Sequence, residues 1–382
     1  MEKRMSVMSW RRSPLADRHR ALGSALEDWN GMETAWTYTA SALPDEHEAI
    51  RTRAAIMDVS GLRKVHLVGP HAHQALQRTT TRDVRKIYPG RSVYSCILND
   101  AGKFADDCIL YRTGPNAWMV VIGSGTGYEL LGRDVAGMNV AMLFDDDLQD
   151  LSLQGPLAVD YLERHVPGIR TLKYFHHLQT TLFGRHVMIS RTGYTGERGY
   201  EIFCRAEDAP AIWDQIVAEG RDLGIIPASF TALDWLRVES YLLFYPYDNS
   251  QMYPFANEAP GDTLWELGLT FTVSPGKTGF RGAEEHARLK GRERFKIYGM
   301  VAQTDRALDA GDALFADGKP AGVVTCGMYS RLTGRSLAIA RMAPGAAREG
   351  TPLDVRGRSV ECAAIAHPLT FDDPNKLKRT AA

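Results

Sequence analysis

Residues 190–203 read SRTGYTGERGYEIF. Glycines 193, 196 and 199 alternate with Tyr194, Tyr200 and two threonines, among the charges of Arg191, Glu197, Arg198 and Glu201. The end of the stretch, YEIF, has the β-branched and aromatic character of a strand. A plain hairpin needs one turn and alternating apolar residues, not this density of glycine and charge. What the excess is for has to be read from the sequence around it.

With 382 residues the chain is long enough for two or three domains with real cores. Its 44% hydrophobic and 24% charged residues are an ordinary globular balance. The net charge of −1, from 45 basic and 46 acidic residues, gives no global field for nucleic acid or an anionic membrane. The five cysteines, Cys96, Cys108, Cys204, Cys326 and Cys362, are scattered and never form a C-x-x-C pair. That spacing predicts reduced core thiols, with neither a structural disulfide nor a zinc site. The opening MEKRMSVMSWRRSPLADRHR is basic but lacks an apolar core, so it does not read as a secretory signal. With no run of 18 apolar residues either, the expectation is a cytoplasmic protein that does not span a membrane.

Strand and helix signals are mixed along the chain. RKVHLVG (63–69) alternates and runs into Gly-Pro, as a strand and turn would. HAHQALQRTTTRDV (71–84) predicts a helix, and SVYSCILNDAGKFADDCILYR (92–112) two strands joined at NDAGK. AWMVVI (117–122) is another strand, and 211–223 a helix with Asp208 as candidate cap and Pro210 in its first turn. From Ile297 on, short strands alternate with turns such as ADGKP and REGTP, which predicts a compact antiparallel β domain.

Several local motifs suggest chemistry and fall short. AWMVVIGSGTGYELL resembles a dinucleotide fingerprint, but Gly123 and Gly125 are followed by Tyr128 where the third glycine belongs. A glycine-rich turn between strands is the better reading. His66, His71 and His73, like His176 and His177, lack the helical i, i+4 spacing of zinc ligands, so no metal is expected. FADDCIL is more telling. Strand alternation turns one of Asp106 and Asp107 inward, and an inward carboxylate marks either a functional site or a buried ion pair.

The ordered series of blocks is more specific than any single motif. SPLADRHRALGSALEDWNGMETAWTY (13–38), EHEAIRTRAAIMDVSGLRKVHLVGP (46–70), LQRTTTRDVRKIYPGRSVYSCILNDAGKFADDCILYR (76–112) and LSLQGPLA (151–158) precede SRTGYTGERGYEIF. LDWLRVESYLLFY (233–245), LWELGLTFTV (264–273) and AGVVTCGMYSRLTGRSLAIARM (321–342) follow it. Together they resemble the folate-dependent T-protein (aminomethyltransferase) superfamily of the glycine cleavage system over almost the whole chain. The resemblance implies an α+β, three-lobed fold around a central tetrahydrofolate site. Residues 1–285 would form two interleaved folate-binding lobes, and 295–382 a C-terminal antiparallel β-barrel. It also implies roles: Asp107 as the catalytic carboxylate, with Tyr94, Tyr194, Glu201 and Arg237 around the folate. A carboxylate such as Glu201 suits the donor-rich edge of a pterin. The three glycines would let the backbone approach a flat ring, and Glu197 and Arg198 would be turn or surface residues.

Three departures bear on the substrate. The family's V-V-N-A reads VVIG, with Ile122 in place of Asn; A-R-D-x-L-R-x-E reads ALDWLRVE, with Leu233 in place of the first Arg; and an aromatic-rich run, PYDNSQMYPFANEAPGDT (246–263), replaces a short acidic turn. An apolar pocket of Ile122, Tyr245 and Tyr253, with Tyr247 as candidate acid, suits a small methylated donor; the tyrosines are equally readable as core packing. The expected activity is a tetrahydrofolate-dependent demethylase that moves a methyl group from an O-, S- or N-methyl donor to N5. The alternatives are an aminomethyltransferase served by a lipoylated carrier protein, and a non-catalytic folate binder. The latter's Lys-Gly-Cys motif is missing from GKTGFRGAEE (276–285).

Overall fold

The computed structural model describes residues 11–250, 252–255, 261–368 and 370–381. Residues 1–10, and Gln251 and 256–260 of the aromatic-rich run, lie outside the described residues. The first sheet orders its strands Ser92–Leu98, Phe104–Gly114, Ala117–Ile122, Arg63–Val68 and Ala141–Phe144, every neighbour antiparallel. The second runs His177–Leu182, Arg185–Ser190, Gly199–Arg205, Leu148–Gln154, Ala55–Asp58 and Ile226–Pro227, with the last pair parallel.

Each sheet carries helices on its outer face. Ala72–Thr79 and Gly127–Val135 bury Leu76, Leu130 and Leu131 against Val65, Leu110, Trp118 and Ile122 of the first sheet. Ala158–Glu163 and Ala209–Glu219 bury Leu162, Ile212 and Trp213 against Leu151, Ile189 and Ile202 of the second. The predicted helix over 211–223 thus starts two residues earlier and ends in a 3₁₀ turn, Gly220–Leu223; Asp208 makes no side-chain cap. The inner faces of the sheets meet through Tyr111, Met119, Val121, Met188 and Phe203. Strands buried on both faces lose the apolar–polar alternation that would otherwise report orientation.

Lys296–Ala302, Arg335–Met342, Lys319–Ser330, Ala313–Ala316, Pro352–Arg356 and Glu361–His367 close into a six-stranded antiparallel barrel. Pairing of the first strand with the last removes the open edge. Val238, Leu264, Leu267 and Phe295 bind the barrel to the first sheet through Cys96, Leu98 and Phe104. All five cysteines are free thiols, and no helix among the described residues is long and apolar enough to cross a membrane.

The units converge on helix Phe230–Glu239. Ser229 caps its start and gives two hydrogen bonds to Glu46 of helix Leu43–Thr52. At its end the buried carboxylate of Glu239 takes bonds from His47 Nε2 at 2.9 Å, Arg51 at 2.7 and 2.9 Å, and the Ser330 hydroxyl of the barrel. Burial opposes the charge, but the His47 and Arg51 contacts hold this carboxyl down to about 2. It therefore adds stability above its ordinary pKa of 4.5 that is lost as pH falls toward about 2. Glu239→Gln is expected to cost about 3 kcal/mol, because Arg51 and His47 stay buried without their partner. Urea titrations near neutral and acidic pH check this: the deficit should shrink as the solution is acidified.

Candidate functional site

Asp107 stands on strand Phe104–Gly114 opposite Cys96, and Tyr94 lies diagonally across on Ser92–Leu98, facing Ile109. Diagonal neighbours share a face, and the Tyr94 hydroxyl donates to Asp107 Oδ2 at 2.8 Å. Burial raises the Asp107 carboxyl above the ordinary range while the Tyr94 hydrogen bond opposes the rise. Burial and the Asp107 charge push the phenol higher still, so Tyr94 stays a donor. Asp107 is half-buried, and its Oδ1 accepts no hydrogen bond from a described residue.

Asp106 is the inward member of the pair, 2% exposed. Its partner is the backbone: Gly127 N–H donates to Oδ2 at 3.0 Å and Asp107 N–H to Oδ1 at 2.9 Å. Burial first, then the charge of Asp107, pushes its carboxyl up to about 7 against those bonds. The turn I-G-S-G-T-G (122–127) is folded around this carboxylate. A Cβ on Gly123 would lie 2.6 Å from Asp107 Oδ1, one on Gly125 2.9 Å from Asp106 Cγ, and one on Gly127 2.9 Å from Asp106 Oδ2. The glycines that resemble a nucleotide fingerprint thus make room for a side chain of the protein itself. Asp145, at the acidic end of that segment, pairs with His66 and Arg205.

Two alternations along from Asp107, Tyr111 reaches across to the second sheet, its hydroxyl 3.2 Å from Glu201 Oε2. Thr192 donates to the same oxygen, and Glu201 Oε1 accepts nothing from the described residues. Burial raises the Glu201 carboxyl, opposed by the Thr192 and Tyr111 hydroxyls. Asp107, half-buried Ile109 and Tyr111 therefore line one face of a single strand, about 13 Å from first to last, and Tyr111 carries that face to Glu201 of the second sheet.

The signature segment departs from its sequence reading in two ways. A Cβ on Gly193 or Gly199 would lie 2.1 or 2.0 Å from the Gln154 amide, and one on Gly196, at φ +82°, 2.0 Å from the Ser240 hydroxyl. The clearance is filled by the protein, with Gln154 Nε2 donating to the Thr192 carbonyl at 3.1 Å. Glu197 and Arg198 are buried rather than superficial. Glu197 pairs with Arg51 at 2.9 Å and Lys378 at 3.2 Å, and Arg198 donates to the Arg170 carbonyl at 3.0 Å.

The other expected residues are distributed unevenly. Tyr194 packs with Trp29, Phe230 and Phe244 and donates to the Leu243 carbonyl. Fully buried Arg237 pairs with Asp234 at 2.8 Å and Asp248 at 2.6 Å, holding the 241–248 turn; its Nη2 has no hydrogen-bond partner. Ile122 lies wholly in the core of the first sheet, and Tyr245 packs on Phe104 at 4.2 Å. Tyr247 meets Phe244 edge-on at 4.9 Å, and half-buried Tyr253 sits against Gly311 of the barrel. None of these six is in hydrogen-bonding contact with Asp107. Among the described residues no His, Cys, Asp or Glu cluster is arranged to hold a metal ion.

Sequence reasoning missed Asp106 as a clamp, Tyr111, and two buried charges, Lys64 and Asp150, near Glu201. It also missed Arg379, 7% exposed beside Gly196, whose Nε and Nη2 have no hydrogen-bond partner. Their only sequence signal is a charge inside an apolar strand or a short tail.

The GCVT N-terminal domain family matches residues 15–277, and the glycine cleavage T-protein C-terminal barrel domain matches residues 296–373. A heme-dependent oxidative N-demethylase gamma subunit of Ectopseudomonas mendocina (strain ymp) is 70% identical over 373 residues, 98% of this chain and 99% of the relative. An aminomethyltransferase of Rubrobacter xylanophilus is 34% identical over 370 residues, 94% of each chain. The crystal structure of glycine cleavage system aminomethyltransferase T from Bartonella henselae superposes with a TM-score of 0.85 at 25% identity, over 96% of this chain and 99% of that one. Fold, barrel and sequence agree: the chain belongs to the glycine cleavage T-protein (aminomethyltransferase) family.

Proposed function

We propose that this protein is the folate-binding subunit of an oxidative N-demethylase and passes the released carbon to tetrahydrofolate. The observation that carries the reading is the strand face that runs from Asp107, bonded by Tyr94, to Tyr111, which reaches Glu201 of the second sheet. The 70% identical gamma subunit supports a protein partner and an oxidative release of the carbon. Oxidising an N-methyl group gives a carbinolamine that falls apart into amine and formaldehyde. The acceptor then takes a methylene unit, not the methyl group expected from the sequence.

The residues present fit the folate. Oxygens without hydrogen-bond partners on Asp107 and Glu201 would suit a flat heterocycle rich in N–H donors. The orphaned Nε and Nη2 of buried Arg379 form a fork for a carboxylate, as on the glutamate of folate. Tetrahydrofolate supplies two nucleophilic amines, N5 and N10, that take formaldehyde as a methylene bridge with loss of one water. Glu201 orients the pterin edge. Tyr94 fixes Asp107 Oδ2, and Oδ1, beside Gly123, would be left to accept from the folate. Raised by burial against the Tyr94 hydrogen bond, the Asp107 carboxyl would give a proton to the departing oxygen and as the anion offset positive charge on nitrogen. Asp106, clamped by the glycine turn, holds the Asp107 backbone in register.

Incubation of the protein with tetrahydrofolate and formaldehyde should accelerate formation of 5,10-methylenetetrahydrofolate, followed by mass. 5-Methyltetrahydrofolate from a methyl donor alone would favour direct methyl transfer instead. Asp107→Asn should lower the rate about a hundredfold with folate affinity kept; undiminished turnover removes Asp107 from the chemistry. Glu201→Ala should weaken folate binding about tenfold or more, because the pterin loses a charged acceptor. An unchanged dissociation constant would count against that contact.

A further inference from the structure

Charge is buried between the two sheets in a layer otherwise made of Met119, Val121, Met188 and Phe203. Lys64, 2% exposed, enters from strand Arg63–Val68, opposite Val121. Asp150, fully buried, and Glu201, 6% exposed, enter from the second sheet. Glu201 pairs with Ser152 and Phe203 with Asp150, so the two carboxyls are diagonal neighbours on one face. The Lys64 ammonium donates to the Ser60 carbonyl at 2.7 Å, and the Ser60 hydroxyl accepts from Asp150 N–H at 3.0 Å.

One cation and two carboxylates leave a surplus negative charge if all three ionise, and a surplus charge in an apolar layer is costly. The carboxyls are not equivalent. Glu201 Oε2 accepts from the Tyr111 and Thr192 hydroxyls, which favours its anion. Neither oxygen of Asp150 has a hydrogen-bond partner, which favours its neutral acid. We propose that Lys64, Asp150 and Glu201 form a proton-sharing triad in which Asp150 keeps the proton and Glu201 the charge. Lys64 and Asp150 are then positioning residues that keep the pterin-binding carboxylate ionised. Burial and the Glu201 charge raise Asp150 well above a normal carboxyl, in line with its neutral acid, while burial also raises Glu201 against its two hydroxyls and lowers Lys64 to about 8.

The surrounding charges are already committed. Asp58 accepts from His19 Nε2 and Ser60 N–H, Asp145 pairs with His66 and Arg205, and Arg11 with Asp146. His177, edge-on to Tyr111, is held down to about 4 by burial and is neutral. Buried Cys204 is raised by burial and stays a thiol, and burial likewise keeps Tyr174 a phenol. The triad has to settle its own proton.

The consequence for binding rests on the folate reading, whereas the proton's location does not, so the two are tested separately. Infrared spectra of the folate-free protein near neutral pH should contain a protonated-carboxyl band component that shifts when the aspartate carboxyls are labelled with carbon-13 and disappears in Asp150→Asn. No such component, or one that the label leaves unshifted, overturns the triad. With 5-formyltetrahydrofolate as probe, Asp150→Asn mimics the neutral acid and should bind within about twofold of the natural protein, as a neutral-for-neutral exchange keeps Glu201 charged. Lys64→Met should bind about tenfold more weakly near neutral pH and recover as pH rises, because Glu201 then needs higher pH to ionise. A tenfold loss in Asp150→Asn, or a Lys64→Met deficit that ignores pH, overturns the positioning role. Failure of the natural protein to bind the probe would refute the folate reading and leave the infrared result standing.

Discussion

An ionised carboxylate is costly to bury unless it is paired, and Glu239 sits where four parts of the chain cross. His47 and Arg51 reach it from helix Leu43–Thr52, Ser330 from the barrel, and the Phe371 and Asp372 amides bond to its own carbonyl. Arg51 continues the network to the Thr195 carbonyl and to Glu197, and Lys378 closes it from the C-terminal tail. The loop bearing Tyr194 is therefore suspended from a charge network and not from its own hairpin. Lobes, barrel and tail keep the registration that lets Tyr111, on the strand of Asp107, reach Glu201.

The two ends of that face differ. At one, paired carboxyls and a phenol are held by the backbone of a tightly packed glycine turn. At the other, Glu201 has one oxygen fixed by two hydroxyls and one without a hydrogen bond from the described residues. Ile109 between them is apolar and half-buried. The tyrosines of the 245–253 segment lie toward the aromatic packing and the barrel turn, which fits a one-carbon unit that needs no aromatic cage of its own.

Local pattern made the strands, the NDAGK hairpin and the barrel turns legible, because each depends on residues a few positions apart. The ordered blocks carried the family, and with it Asp107, Tyr94 and Glu201. What escaped was fixed by distant partners. Asp106 is satisfied by an amide 21 residues away, and nothing in FADDCIL announces that. Lys64 and Asp150 read as solvated strand residues until a second sheet covers them. Glu197 and Arg198 look like turn residues for the same reason: their partners lie in another helix, in the segment before His177, and in the tail.

The Gln154 amide occupies the space a side chain would need at both Gly193 and Gly199. The glycines of the most recognisable phrase of the sequence thus form a joint in the scaffold and by themselves carry little information about the reaction. A genome searched with that phrase returns proteins able to assemble this frame, whatever carbon they handle or even if they handle none. Sorting those proteins by chemistry calls for other letters, read where two sheets close over a charge.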